Sequence, residues 1–173
     1  AFAQDKVKQT ALFRLLGIPH PRTRVFYGRQ RSGIARAFDY PFVAKVARGS
    51  ARGRGGALVR TPAELEEYCA RNRVAYVQEY LPHDPEQGIV RLELVGGELL
   101  YAMRVKTHGR FNLCPSPVCN PEDGDSACAL PNEPVIEAPP VEFAPFKEVP
   151  VEAVSTAKRI VEATGLAVGG IEY

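Results

Sequence analysis

The spacing of apolar and polar positions divides the chain into recognisable elements. Residues 4–16 (QDKVKQTALFRLL) place Val7, Leu12, Leu15 and Leu16 in a rough helical stripe, and Gly17 followed by Pro19 supplies the stop. Residues 23–27 (TRVFY) are rich in β-formers and read as a strand, 32–38 as a short helix, and 41–46 (PFVAKV) as a compact apolar run with one lysine inside it. Residues 61–72 form a helix with a strong start: Thr61 as cap, Pro62 at the first position and Glu64 completing a T-x-x-E box. Residues 74–81 (VAYVQEYL) read as a buried strand ended by Pro82. Two further strand patterns, 89–95 and 98–105, are joined by Gly96-Gly97, a hairpin signal. A helix over 150–164, stopped by Gly165, leads into a final apolar strand.

Between these elements lie two stretches of another character. Residues 47–56 (ARGSARGRGG) hold four Gly, three Arg and one Ser. Residues 114–150 hold nine of the fifteen prolines, seven acids and a single Lys, and read as a long irregular excursion of the lid or binding-loop kind. Helices mixed with a hairpin make the fold α+β rather than a doubly wound parallel sheet.

Composition narrows the class. At 173 residues and 19.0 kDa the chain suffices for one ordinary domain or two small lobes. No apolar run approaches the ~18–20 residues that cross a membrane. No secretory signal opens the chain, and the four cysteines suit reduced thiols in a cytosol better than disulfide staples. Cys114, Cys119 and Cys128 are spaced C-x4-C-x8-C, which fits no common zinc knuckle. The chain begins with Ala and ends within an apolar run, the pattern expected of a piece of a longer protein.

The net charge of +2 conceals an asymmetry: residues 1–60 hold 13 Lys/Arg against Asp5 and Asp39 alone, and residues 61–173 hold 9 Lys/Arg against 18 Asp/Glu. A basic front part points to an anionic partner such as a nucleotide or nucleic acid, or to attraction between the two parts.

Three places could carry chemistry. Lys45 lies in an apolar run, where an ammonium is costly to bury unless it meets an anion. The unhindered amides of Gly49, Gly53, Gly55 and Gly56, with the Ser50 hydroxyl, follow directly and could wrap phosphate oxygens. The bland alternative is a surface loop beside a snorkelling lysine. In Gln78-Glu79-Tyr80-Leu81 polar groups end an apolar strand; its backbone could pair with an adenine edge and Glu79 could accept from an amino group, or it is an ordinary strand end. Glu172, after Gly169-Gly170, could hold Mg²⁺ or be a surface glutamate.

In combination these pieces resemble the ATP-grasp superfamily, in its RimK and glutathione-synthetase-like form. DKVKQTALFRLLGIPHPRT (5–23) resembles its opening helix and turn. YPFVAKVARGSARGRGG (40–56) resembles its phosphate-binding lysine and Gly-rich flap. YVQEYLP (76–82) resembles its hinge strand, IVRLELVGGELLYAMRVKTHGRFNL (89–113) its "diR..vvgg" section, and GLAVGGIEY (165–173) the element delivering a first metal carboxylate. The likeness spans most of the chain except 114–150. It implies two α+β lobes with the nucleotide held between them: a small lobe with the flap over 1–81, part of a larger lobe over 82–173, and a lid-like insertion at 114–150.

The resemblance also implies roles. Lys6 and Lys45 contact ATP phosphates, the 49–56 loop closes over them, and Glu79 with the backbone of Gln78, Tyr80 and Leu81 holds adenine. Arg104 lies near the transferred phosphoryl group; Asn112 and Glu172 serve Mg²⁺. The ribose-binding acid falls on Ile89 or Val90, so Asp84 or Glu86 takes its place. A second E-x-N metal motif belongs after the last strand. The implied activity is a cytoplasmic, ATP-dependent carboxylate–amine ligase acting through an acyl phosphate on small-molecule or peptide substrates, with no membrane partner and a homo-oligomer possible. A nucleotide-binding module without ligase chemistry is the first rival. Nucleic-acid binding by the basic front part, with Phe26 and Tyr27 interleaved among arginines, is the second; no nucleic-acid signature accompanies it.

Overall fold

A computed structural model describes residues 5–48, 55–107 and 141–173, with the side chains of 29–31 outside the description. Two compact units divide the chain, Ala1–Pro82 and His83–Tyr173.

The first unit is built on a four-stranded sheet. It comprises α1 (Lys6–Leu15), β1 (Thr23–Tyr27), a 3-10 turn (Gly28–Gly33), α2 (Ile34–Ala37), β2 (Phe42–Lys45), β3 (Ala57–Val59), α3 (Pro62–Arg71) and β4 (Val74–Glu79). The strand order is β1-β4-β2-β3, with every neighbouring pair antiparallel. Side chains alternate across a strand, so one sheet face collects Phe26, Phe42, Ala44, Val59, Ala75 and Val77 into a core with Ile34, Phe38 and Tyr68. Ile34 and Phe42 are fully enclosed, and burying such a side chain stabilises by roughly 1.5–3 kcal/mol. The short strand β3 was not foreseen; it pairs with β2 directly after the Gly-rich stretch.

The opening helix forms where expected and keeps Leu12 of the expected stripe inward, but it turns Leu15 out and Thr10 in. Thr10 and Leu12 are buried, whereas Leu15 of the expected stripe is 83% exposed. The reason is a hydrogen bond: Thr10 Oγ1 and Tyr76 Oη lie 2.6 Å apart in a buried setting, so the helix meets the sheet through a polar pair. The cap of α3 also differs in detail. Thr61 Oγ1 accepts from the Glu64 amide at 3.2 Å, but the Glu64 carboxylate reaches the amide of Arg60, one residue before the cap.

The second unit comprises β5 (Ile89–Val95), β6 (Glu98–Lys106), β7 (Glu142–Pro145), α4 (Val151–Thr164) and β8 (Val168–Glu172). These form an antiparallel sheet of order β7-β6-β5-β8. Gly96 and Gly97, both at positive φ, make the hairpin turn. Val90, Leu92, Leu94 and Ala102 pack one face against Ala157 and Val161 of α4. The strand β7 is a correction: 142–145 lies within the stretch read as irregular, yet it pairs along the edge of β6. Its four residues are all exposed and it ends in proline, so no alternation betrayed it. Among the described residues no helix is long and apolar enough to cross a membrane.

Candidate functional site

The second face of the first sheet carries a cluster of polar side chains among apolar ones, and the register explains how they meet. Thr23 pairs with Gln78 and Val43 with Gln78, while Val25 and Lys45 both pair with Tyr76. Directly paired residues share a face, so Lys45, Tyr76, Gln78 and Thr23 stand together opposite the core. They are joined there. Lys45 Nζ donates to Gln78 Oε1 at 2.8 Å, Gln78 Nε2 donates to Thr23 Oγ1 at 3.1 Å, and the Thr23 hydroxyl donates to the Pro21 carbonyl at 2.7 Å. Half-buried Lys45 therefore donates to a neutral amide oxygen, which orients its ammonium on this face.

The helix α1 closes this face. Asp5 caps it, its Oδ1 accepting from the amides of Val7 and Lys8, each at 3.1 Å. Its other oxygen lies 3.0 Å from Arg48 Nε, and the Lys6 amide donates to the Ala47 carbonyl at 3.0 Å. The backbone amide of Lys8 and the charge of Arg48 hold the Asp5 carboxyl below its ordinary range, outweighing burial.

Glu79 does not join the lysine. It pairs with Phe42 on the core side, where its carboxylate accepts from the Arg22 amide at 2.6 Å with the Arg22 guanidinium at 4.0 Å. Tyr80 and exposed Leu81 follow the last paired residue of β4, so their backbone lies past the end of the ladder. Gly55 and Gly56 are exposed. Gly49, Ser50, Gly53 and Asn112 lie outside the described residues, as do Cys114, Cys119 and Cys128.

In the second unit Arg104 and Glu172 are not brought together. Arg104 pairs with Val90 and Glu172 with Arg91, adjacent residues of β5, so the two side chains belong to opposite faces of the sheet. The Arg104 guanidinium lies 4.8 Å from the centre of the Phe146 ring and donates to the carbonyl and side chain of Gln87. Asp84 is spent on a turn, its Oδ1 accepting from the Glu86 amide at 2.9 Å; Glu86 itself lies 3.6 Å from Lys106 Nζ.

Glu172 accepts from Arg91 Nη1 at 2.8 Å, and the same guanidinium donates through Nε to Glu93. Burial opposes the charge on Arg91, but its hydrogen bonds and charge pairing with Glu93 and Glu172 prevail and raise its pKa. The guanidinium lies over Gly170, where any Cβ would strike it. This Glu93–Arg91–Glu172 bridge was missed in the sequence; only the register places the three together. No group of three His, Cys, Asp or Glu lies together among the described residues. One guanidinium-paired carboxylate does not by itself fit a resident Mg²⁺, which takes oxygen ligands in near-octahedral array.

No family model and no curated protein matches the chain in sequence. Solved structures do match in fold. The RimK domain ATP-grasp protein of Sphaerobacter thermophilus is 22% identical with a TM-score of 0.62, over 98% of this chain and 52% of that one. D-alanine–D-alanine ligase of Bacillus anthracis is 13% identical with a TM-score of 0.66, over 97% and 51%. The ATP-grasp ligase PsnB, complexed with minimal precursor, Mg and ADP, is 16% identical with a TM-score of 0.60, over 98% and 44%. The fold of this chain is the ATP-grasp fold, α+β as the resemblance implied, and the chain spans about half the length of the structures it matches.

Proposed function

We propose that the chain is the nucleotide-binding part of an ATP-dependent carboxylate–amine ligase. The observation that carries this reading is Lys45: an ammonium oriented by Gln78 on the face of an ATP-grasp sheet opposite its core. Lys6, the first residue of α1, joins it at the phosphates, with the 49–56 loop supplying amides from Gly49, Gly53, Gly55 and Gly56 and the Ser50 hydroxyl. The backbone of Tyr80 and Leu81, past the end of the ladder, meets the adenine edge.

The chemical difficulty is charge, because a substrate carboxylate must approach a γ-phosphate that repels it. Lysine ammonium groups and aligned amides lower that repulsion and stabilise the charge that develops in line. The carboxylate oxygen bonds to the γ-phosphorus as the bond to the β-bridging oxygen breaks and ADP leaves. The amine nitrogen then attacks the acyl carbon, the acyl C–O bond breaks, inorganic phosphate departs and the amine loses a proton. PsnB is an ATP-grasp ligase seen in complex with precursor peptide PsnA2, and the Bacillus protein is a D-alanine–D-alanine ligase, so peptide and amino-acid carboxylates are the substrate classes to try first.

In the full-length protein, Lys45→Ala should abolish binding of a non-hydrolysable ATP analogue measured by calorimetry. Retained binding would remove the reading. A second reading, nucleotide binding without ligase chemistry, is favoured by the engagement of Glu172 with Arg91. ADP release that stays flat when candidate acids and amines are added would select it; release that requires both selects the ligase.

A further inference from the structure

We propose that Asp5 is a positioning residue for the phosphate end of the nucleotide site, setting where Lys6 and Lys45 stand relative to each other. The proposal rests on the reading of Lys45 as a phosphate ligand.

Besides the hydrogen bond that Arg14 Nη2 donates to the Thr23 carbonyl at 2.9 Å, two fastenings hold α1 on this sheet face, and they bracket Lys45. The first is Asp5. Its side chain is only 10% exposed, and it joins the start of the helix to the chain leaving β2. One oxygen caps Val7 and Lys8, the other pairs with Arg48, and the backbone is stitched alongside by an antiparallel Asp5–Arg48 bridge and the Lys6–Ala47 hydrogen bond. Ala47 and Arg48 are the second and third residues after Lys45. The second fastening is the buried Thr10–Tyr76 pair, and Tyr76 is the cross-strand partner of Lys45. Lys6 is therefore fixed against the strand end that carries Lys45, and Asp5 is the charged group making that junction.

A cap alone would not require aspartate. Asn, Ser and Asp serve that position about equally, but only an anion also pairs with Arg48. Arg48 is itself 77% exposed, so the pair adds little to stability through screened solvent. What it supplies is a fixed distance between two cationic groups that would otherwise repel.

The test uses the full-length protein and two probes, AMPPNP and adenosine, titrated into wild type, Asp5→Asn, Arg48→Gln, the double variant and Lys45→Ala. Asp5→Asn keeps the cap and removes the charge. It should weaken AMPPNP by about tenfold or more and leave adenosine affinity unchanged. Arg48→Gln, altered at an exposed side chain, should reproduce this, and the double variant should be no worse than either single one. Wild-type AMPPNP affinity in Asp5→Asn, or a parallel loss of both probes, would reduce Asp5 to a cap and overturn the positioning role while Lys45→Ala still loses AMPPNP. If Lys45→Ala binds AMPPNP like wild type, the nucleotide reading fails and takes this proposal with it.

Discussion

Lys45 and Glu79 show how much one residue of register decides. Both sit in β-strands of one sheet, yet alternation sends Lys45 to the face opposite the core beside Gln78 and Glu79 to the core side beside Arg22. The identities of both were legible in the sequence as candidates for chemistry; that they part company was not, because it depends on which residues of β2 and β4 face each other. At the same scale Asp5 makes a pH prediction. Its folded pKa is depressed below the ordinary 3.8. The carboxylate therefore contributes stability that is complete above that value and is lost as pH falls through the folded one. The melting-temperature difference between wild type and Asp5→Asn should be present at pH 7 and narrow as pH falls below 3.8. A difference constant with pH would mean that the charge of Asp5 does not stabilise the fold. Gly170→Ala gives a second. A methyl there meets the far end of Arg91 and pushes it from Glu172. Because a flexible side chain can move aside, stability should change by about 1 kcal/mol or less in chemical denaturation. A larger loss would show the bridge to be structural.

Elements with strong local signals formed nearly where the pattern placed them. The cap and proline before α3, the glycine pair between β5 and β6 and the glycine after α4 all act through their own backbone preferences, which tertiary contacts do not need to supply. Thr61→Ala should cost ~1 kcal/mol in chemical denaturation, as loss of a cap does; no change would mean that Pro62 and the Glu64–Arg60 bond start the helix unaided. Gly88 lies at φ +64 ahead of β5, and a Cβ there would collide with the Val105 carbonyl. Backbone cannot step aside as Arg91 can, so Gly88→Ala should cost more than the roughly 1 kcal/mol of a left-handed alanine alone. Strands β3 and β7 escaped the pattern because three or four residues hold too little alternation to be seen, and both exist by pairing with a neighbour.

For the molecule as a whole, two separate cores predict separable stability. Leu92 is fully enclosed in the core beneath α4, and Ile34 in the core of the first unit. Truncating either to alanine costs about 2–5 kcal/mol. Leu92→Ala should speed amide exchange in β5, β6 and β8 while β2 and β4 keep their protection, and Ile34→Ala should do the reverse. Exchange that rises everywhere in both variants would show one cooperative unit. Charge follows the same division: residues 1–82 hold 15 Lys/Arg against six Asp/Glu, and residues 83–173 hold seven against fourteen.

By itself the sequence determined the α+β class, the ends of α3, α4 and the hairpin, and the lysine, glycines and hinge residues that resemble an ATP-grasp site. These are properties of spacing and backbone preference, carried within a few consecutive residues. Only the tertiary structure decided the face on which each side chain stands. It turned Thr10 rather than Leu15 inward, gave Lys45 an amide as its companion, tied Glu172 to Arg91, and set Arg104 across the sheet from Glu172. Each of those outcomes depends on register between strands remote in the chain, and register is chosen by the packing of a whole face at once.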